Sequence, residues 1–444
     1  MVNTGDTAWI LTSAALVLLM TPGLALFYGG MVRAKSVLNM MMMSFGALAL
    51  ISVLWVLYGY SIAFGDSVGG AGILGDPAEF FGLNGLMEDT TSTEGGLPTM
   101  AFVGFQAVFA IITVALISGA IADRAKFGSW MVFAGIWATI VYFPVAHWVF
   151  AFDGDDIVGG WIANDLAALD FAGGTAVHIN AGATGLALAI VLGKRRGFGR
   201  EAMRPHNLPL VMIGAGLLWF GWFGFNAGSA LAANNTASVA WVNTLVATGA
   251  AILGWLLVEK VRDGHSTSLG AASGVVAGLV AITPACNAVS PIGAILIGVI
   301  AGALCALAVG LKYKLGYDDS LDVVGVHLVG GLWGTIAIGF LGSAASPSGV
   351  DGLFYGGGVD QLWRQVVGAG AVLAFSFVVT LIIGIVIQKT IGFRISDDDE
   401  VTGIDNVVHA ESGYDFASLG SSGSTAPLSG QARAEARNTE RTLA

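Results

Sequence analysis

Long apolar stretches separated by short polar segments dominate the chain. Eleven of them approach or exceed the ~20 residues with which a helix crosses about 30 Å of hydrocarbon. In lipid the backbone must satisfy its own polar groups, so each stretch predicts a membrane-spanning helix. The predicted spans cover residues 8–32, 38–64, 99–121, 128–150, 171–193, 207–229, 239–259, 269–287, 291–311, 322–343 and 362–388. The pattern therefore predicts an all-α polytopic membrane protein.

Composition agrees with a protein whose surroundings are a lipid bilayer. The 444 residues are 55% hydrophobic and 11% charged, against about 25% charged in soluble domains. Sixty-five glycines allow close helix–helix approach in lipid. Cys286 and Cys305 fall inside predicted spans, which favours buried thiols over a disulfide or a metal site. We expect no metal, no other cofactor and no nucleic-acid partner.

Positive charge is distributed unevenly between the two sets of loops. Of the nineteen Lys and Arg residues, only Arg364 falls outside the loops and tail that follow the odd-numbered spans. The others are Arg33, Lys35, Arg124, Lys126, Lys194, Arg195, Arg196, Arg200, Arg204, Lys260, Arg262, Lys312, Lys314, Lys389, Arg394, Arg433, Arg437 and Arg441. Because basic loops stay in the cytoplasm, the N-terminus is predicted outside and the C-terminus inside. The spans and the charge distribution together predict a multi-pass plasma-membrane protein. The first residues, MVNTGDTAW, lack the basic start of a signal peptide.

The opposite set of loops is acidic, as in Asp66, Asp76, Asp153 and Asp165. Such loops could concentrate cations at an entrance. They could equally serve only to keep the surface solvated. From the sequence we favour the second interpretation.

Two histidines lie deep in apolar segments, where ionisable groups are costly and commonly functional. His178 lies in span five and His327 in span ten, at similar depths from opposite faces. Spans 1–5 and 6–10 thus have opposite orientation, the signature of an inverted repeat that pairs the histidines near the midplane. The alternative is two unrelated histidines bonded to neighbouring helices. Asp170 and Asp322 precede these spans and are interpreted as helix caps.

Five local strings carry a family resemblance. They are FQAVFAIITVALISGAIADR, DFAGGTAVHINAG, WFGFNAGSALAAN, SGVVAGLVAITPACNAVSP and DVVGVHLVGGLWG. In this order they resemble the ammonium transporter (Amt/Mep/Rh) family from residue 8 to about 415, and the Amt/Mep branch more than Rh proteins. The resemblance implies a homotrimer with one pore per subunit and ammonium, ammonia and methylammonium as substrates.

The resemblance also implies roles for individual residues. His178 and His327 become the paired pore histidines, and Phe109 and Phe225 the stacked gate. The implied outer ammonium site comprises Phe109, Phe150, Ser229 and, indirectly, Asp170. The family usually has tryptophan where this chain has Phe150, and a phenyl face attracts cations less strongly than indole. We expect a weaker outer site or compensation by a neighbouring ring.

This arrangement has a physical rationale for selecting ammonium over potassium. A ring face and a hydroxyl can hold a tetrahedral donor, whereas a bare cation beyond the phenyl gate pays a large desolvation cost. Neutral imidazoles offer both a donor and an acceptor nitrogen. If the two rings touch, a single proton could pass along the pair, which makes a histidine relay a hypothesis.

The polar segment after the last span, residues 396–444, is predicted to be a cytoplasmic tail following a transporter domain at 1–395. Residues 396–416 resemble the Amt tail, which contacts a neighbouring subunit and lies where PII signalling proteins dock. The matching positions are Gly403, Asp405, His409, Glu411 and Tyr414. Residues 417–444 have no family counterpart, and their Ser/Gly/Ala-rich composition predicts disorder.

Three other functions are weighed against transport of ammonium for nitrogen metabolism. A fused signalling domain would support an ammonium sensor on the same scaffold, and the low-complexity tail contains none. An Rh-like ammonia or gas channel fits the tail and the Phe109/Phe225 pattern less well. Enzymatic activity would need a nucleophile–base set, a phosphate loop or metal-ligand spacing, none of which the sequence shows.

Overall fold

A computed structural model describes residues 2–88, 96–154 and 157–414. In this part of the chain the regular structure is helical, and extended segments form only isolated bridges. Ten described helices are long and apolar enough to cross a membrane, and an eleventh apolar helix is shorter. The predicted all-α polytopic architecture is confirmed. Residues 417–444, for which disorder is predicted, lie outside the described residues.

The membrane helices, numbered in chain order, follow the predicted spans with shifted ends. They are α1 Thr4–Met31, α2 Ala34–Phe64, α3 Thr99–Ile121, α4 Phe127–Phe150, α5 Gly174–Leu192, α6 Leu208–Gly228, α7 Asn235–Asp263, α8 Ser268–Ile282, α9 Pro291–Leu315, α10 Val324–Leu341 and α11 Asp360–Thr390. A short helix, α12 Asp397–Thr402, follows in the tail.

Four membrane helices contain a π-helical segment. These segments are Trp55–Gly59 in α2, Ala138–Tyr142 in α4, Gly174–Ile179 in α5 and Val324–Leu328 in α10. A π segment shifts the register of the side chains after it and often occurs at functional sites. The last two segments contain His178 and His327, so both histidines occupy locally widened turns.

Helices α1 and α6, the first of each half, pack in antiparallel orientation through glycines. A Cβ atom added at Gly214 would lie 2.3 Å from the Phe27 nitrogen, and one at Gly221 would lie 2.4 Å from Met20 Cγ. Further along, a Cβ at Gly228 would lie 2.6 Å from Ser13 Cβ. Only glycine permits this approach, so the backbones themselves form the seam.

Helices α5 and α10, the last of each half, form the second antiparallel seam. Gly182 lies against Leu328, with 2.5 Å from an added Cβ to the Leu328 nitrogen, while Gly331 lies against the His178 Cβ. Each helix starts with its π segment and continues as thirteen α-helical residues. Two matched antiparallel pairs are the geometry expected of an inverted repeat.

The end of the bundle that carries most Lys and Arg residues, called the basic end, is joined by a buried ionic network. Arg195, between α5 and α6, donates to Asp123 (2.9 Å) and to both carboxylate oxygens of Asp318 (2.9 Å each). The Arg33 guanidinium lies 3.4 Å from Asp123. Since these residues come from four different loops, the network fixes the loops relative to one another.

Candidate functional site

A cavity of about 540 Å³ opens at the other end of the bundle, called the acidic end. Its floor is Phe109 in α3, and Ser229, directly after α6, lies on its wall together with Phe150 at the end of α4. The structure thus brings together three of the four residues assigned to the outer ammonium site. Gln106 also lines the cavity. Sequence reasoning missed it, although it lies one helical turn before Phe109.

Ser229 is oriented by the end of its helix. Its Oγ donates a 2.8 Å hydrogen bond to the Phe225 carbonyl. Because the hydroxyl proton is used in this bond, the oxygen lone pairs remain available to accept an N–H from a solute. This arrangement favours a donor such as ammonium.

Trp148 does not substitute for the missing tryptophan at position 150. Its indole nitrogen donates to the Ile73 carbonyl (2.8 Å), and its ring packs against Trp161 and Phe375, away from the cavity. Other aromatic rings share the cavity wall with Phe150. They are Tyr60, Phe64, Phe80, Phe102, Phe152 and Phe171. A cation in the cavity therefore meets several ring faces rather than one indole.

Below the cavity lie Phe109 and Phe225, the pair assigned to the gate. Their rings stack with centroids 4.2 Å apart and planes 26° apart, and both side chains are fully buried. Phe105 packs edge-on against Phe109 at 4.9 Å and was missed by sequence reasoning. In this position the two rings lie between the cavity and the small space beside the histidines.

The two histidines meet directly behind this gate. Nδ1 of His178 lies 3.3 Å from Nδ1 of His327, and the rings are nearly parallel with centroids 5.3 Å apart. One nitrogen of this pair must donate and the other accept, so the contact fixes a tautomer relation between the rings. Nε2 of His178 is buried without a hydrogen-bond partner among the described residues. It remains available to a solute in the lumen.

Trp222 in α6 holds His178 in place. Its ring stacks on the imidazole at 5.3 Å, and its indole nitrogen donates to Thr283 Oγ1 at 2.8 Å. Sequence reasoning missed both residues, because neither carries charge. The free space beside the histidines is about 10 Å³ and is otherwise lined mainly by apolar side chains, including Leu24 and Val276. That volume holds about one water-sized molecule.

Asp170 does not line the cavity. Its carboxylate accepts four backbone N–H groups, from Gly173, Gly174, Thr175 and Ala176, at 2.6–3.0 Å. Burial raises the pKa of this carboxyl, and the four donors oppose the shift. Asp170 thus caps the π segment that carries His178, in line with its interpretation as a cap and with an indirect role.

In the second half, the acid that corresponds to Asp170 is Asp319. It lies eight residues before His327, as Asp170 lies eight before His178, and accepts the N–H groups of Val323 and Val324. The interpretation of Asp322 as the cap is wrong. Asp322 adopts a left-handed φ of 64° and binds Lys312 Nζ at 2.7 Å.

The tail residues up to Tyr414 dock on the basic end of their own subunit. Asp405 accepts the N–H groups of Leu38 and Asn39, thereby capping α2, and His409 Nε2 lies 3.0 Å from Asn39 Oδ1. Gly403, at φ 113°, passes so close to Lys35 that an added Cβ would lie 2.8 Å from Lys35 Cβ.

Two further tail residues differ in how they are held. Tyr414 OH lies 2.8 Å from His206 Nε2, whereas the Glu411 side chain is exposed. Upstream, the buried Glu400 side chain binds Arg33 and Arg394, an anchor that sequence reasoning missed. These contacts within one chain attach the tail to the loops around the basic end of the bundle.

Comparisons with known proteins identify the family of the chain. The sequence model of the Ammonium Transporter Family matches residues 8–414. An ammonium transporter of Mycobacterium tuberculosis is 63% identical over 434 residues, covering 93% of this chain and 91% of the relative. An ammonium transporter of Bacillus subtilis is 47% identical over 412 residues, covering 92% and 98%.

Solved structures give the same picture. The crystal structure of Saccharomyces cerevisiae Mep2 superposes with a TM-score of 0.80 at 35% identity, covering 89% of this chain and 91% of that one. A structure titled Sensor Amt Protein superposes with a TM-score of 0.83 at 28% identity, covering 92% and 98%.

Proposed function

Because the chain belongs to the ammonium transporter family, we propose that it recruits ammonium at the acidic end, removes a proton and conducts ammonia past the histidine pair. The protein is a multi-pass plasma-membrane ammonium transporter. The proposal concerns how it works. One observation carries it: the Nδ1–Nδ1 contact of 3.3 Å between two buried imidazoles directly behind a stacked phenyl gate.

Recruitment takes place in the large cavity, with the Phe109 ring as floor, the Phe150 ring beside it and the Ser229 oxygen as acceptor. Ammonium donates N–H bonds in tetrahedral directions and is attracted to ring faces. Potassium can use the rings but cannot donate to the serine oxygen. Asp170 contributes by fixing the π segment rather than by touching the solute.

Deprotonation follows from the cost of entering the lumen. Beyond Phe225 the path is apolar and holds about one small molecule, so a bare ammonium ion would lose its hydration shell without a counter-ion. Neutral ammonia pays far less. The proton is handed along His178 and His327, which supply one donor and one acceptor between them.

The basic end faces the cytoplasm in this proposal, since loops rich in Lys and Arg remain on that side. A chimera with a periplasmic or cytoplasmic reporter after Thr390 tests the orientation, and reporter activity outside the cell contradicts it. The transporter domain then comprises residues 1–395, and the segment after it is the cytoplasmic tail.

Assembly and regulation complete the proposal. Three copies of the 45.4 kDa chain form a homotrimer, which native mass spectrometry of the solubilised protein tests. A PII protein docks at the basic end, close to the tail residues Gly403 to Tyr414. Addition of purified PII protein to reconstituted transporter should suppress ammonium currents, and undiminished currents in its saturating presence would contradict this step.

A sensor that binds ammonium without transporting it is the alternative on the same scaffold. One structural neighbour is titled as a sensor, at 28% identity. The relatives at 63% and 47% identity are named ammonium transporters. We therefore favour transport.

The test uses His178→Ala and His327→Ala in proteoliposomes, with ammonium currents and labelled methylammonium uptake as readouts. Loss of one imidazole breaks the proton path, so selective transport should fall about 100-fold or more, the scale of a lost general acid–base group. The exposed His265 provides the control, and His265→Ala should transport normally. Unchanged transport and potassium exclusion in both pore variants would rule out the relay.

A further inference from the structure

The rim of the outer cavity is formed by the loop that follows α4. Phe152, Asp153 and Ile157 of this loop line the same cavity as Phe109 and Ser229. Asp153 carries the only formal charge among the described residues of the cavity wall. Among the described residues, Asp153 is therefore the only charged group that a cation meets in the cavity above the uncharged floor.

Asp153 is fixed in position by the segment it faces. Its backbone N–H donates to Asn164 Oδ1 at 3.0 Å, and its Oδ1 accepts the Gly159 N–H at 2.7 Å. Asn164 also donates to the carbonyls of Ala151 and Gly160. The carboxylate is thus anchored at the rim through one oxygen and is not a freely moving surface side chain.

The loop is also tied to the segment after α2, so it cannot easily move away from the cavity. The Val158 N–H donates to Asp66 Oδ1 at 2.8 Å, and the Val158 carbonyl accepts the Ser67 N–H at 3.1 Å. A Cβ added at Gly159 would lie 2.3 Å from the Ala151 carbonyl oxygen. Close backbone packing therefore holds the rim in this shape.

Phe152, the residue before Asp153, lines the same cavity and has 70% of its surface exposed. A ring that is so exposed contributes little to the packing of the bundle. A cavity wall that carries both a ring and a carboxylate favours a small cation, because each group attracts it.

We propose that Phe152 and Asp153 form a rim site, a second ammonium position ahead of the one between Phe109, Phe150 and Ser229. The inference rests on the proposed function, since it assigns a step that precedes the recruitment described above. The cavity has room for it, because 540 Å³ far exceeds the ~10–15 Å³ that one water-sized solute needs on the same measure. The rim site raises the local ammonium concentration and so offsets the weaker attraction of Phe150 compared with tryptophan.

The test is Asp153→Asn, whose amide oxygen can still accept the Gly159 N–H. At low ionic strength the ammonium concentration for half-maximal current should rise about threefold, the factor that one charge ~6 Å away produces in water-like surroundings. The maximal current should not change. In 1 M sodium chloride, where the Debye length is about 3 Å, wild type and variant should converge.

The control is Asp165→Asn, an exposed acid near the same loop that does not line the cavity. It should leave the half-maximal concentration unchanged, and an equal rise in both variants would reduce the effect to general surface charge and overturn the rim site. Phe152→Leu keeps the ring's apolar character but removes its π face, and it should also raise the half-maximal concentration. If wild type gives normal currents and Asp153→Asn has the same half-maximal concentration, the rim site is overturned and the relay is not. The relay is tested separately, by the histidine variants.

Discussion

The pore lumen and the basic-end network both bury polar side chains, but they treat them in opposite ways. In the lumen two imidazoles sit in an apolar wall, and Nε2 of His178 has no partner among the described residues. In the network, Arg195 faces the carboxylates of Asp123 and Asp318 at 2.9 Å. Around the histidines a hydrogen-bonding nitrogen is left unpaired, whereas in the network opposite charges are paired with one another.

The difference indicates what each region is for. A buried polar atom left open costs free energy, which is tolerated where a passing solute can bond to it. A buried charge left open costs more, and so the network pairs Arg195 with two acids from other loops. Removing a partner should consequently harm stability most at the network and transport most in the lumen.

The largest effect on stability is expected from Arg195→Met. Two buried carboxylates, Asp123 and Asp318, would lose their main partner, at a cost of about 3–5 kcal/mol. Thermal unfolding of the detergent-purified protein measures this loss. The control is Arg262→Met, which breaks the exposed ion pair with Asp263 and should cost no more than about 1 kcal/mol. Equal losses in both variants would show that the network does not stabilise the fold.

A smaller effect is expected at the lumen from Thr283→Val. The buried indole N–H of Trp222 would lose its acceptor, at a cost of about 1–3 kcal/mol. Because Trp222 stacks on His178, the ammonium current should fall as well. Thr283→Ser keeps the hydroxyl and should restore both properties. A normal current in the valine variant would show that the stack does not position His178.

The network should also lose its contribution in acid. Burial raises the pKa of Asp318, but hydrogen bonds from Arg195 and its charge outweigh this and hold the pKa below 3.8. A depressed pKa stabilises the fold above pH 3.8, and the contribution disappears as the pH falls through the lower folded value. The unfolding temperature should therefore drop on acidification below pH 4, and less steeply in Asp318→Asn, which cannot titrate. Parallel curves would contradict this assignment.

The smallest effect is expected in the tail from Tyr414→Phe. It removes the hydrogen bond to His206 (2.8 Å), worth about 0.5–1.5 kcal/mol. The readout is the rate of limited proteolysis near residue 414, which should increase while the bundle unfolds at the same temperature. Glu411→Gln, whose side chain is exposed, should not change the rate. Unchanged cleavage of the Phe variant would mean that this contact does not hold the tail.

The positions of the spans could be predicted because a helix that crosses the hydrocarbon layer needs about 20 apolar residues. The predicted span 239–259 identified the right helix but missed its polar ends. In the structure the helix runs over Asn235–Asp263. The π segments were not predictable, since they depend on contacts between helices rather than on local composition. The predicted span 269–287 continues beyond Ile282 as turns, not helix.

The site was predictable where charge or topology marks it. His178 and His327 are conspicuous in apolar segments, and their contact agrees with the predicted pair. Trp222 and Thr283 could not be recognised in this way, because aromatic rings and hydroxyls in membrane helices ordinarily serve helix packing. Asp319 could have been found from its eight-residue offset to His327, the same as that of Asp170 to His178.

The glycine seam between α1 and α6 has a consequence for the transport cycle. An added Cβ atom would lie only 2.3–2.6 Å from the opposite helix at Gly214, Gly221 and Gly228, so sliding would drive side chains into backbone. Transporters that rock one half against the other need an interface that can slip. Here the two halves are locked along this seam, and the proposed mechanism needs only side chains such as the Phe109 and Phe225 rings to move. Under the proposed mechanism, turnover is limited by ring rotation and proton transfer, as in a channel rather than in a carrier.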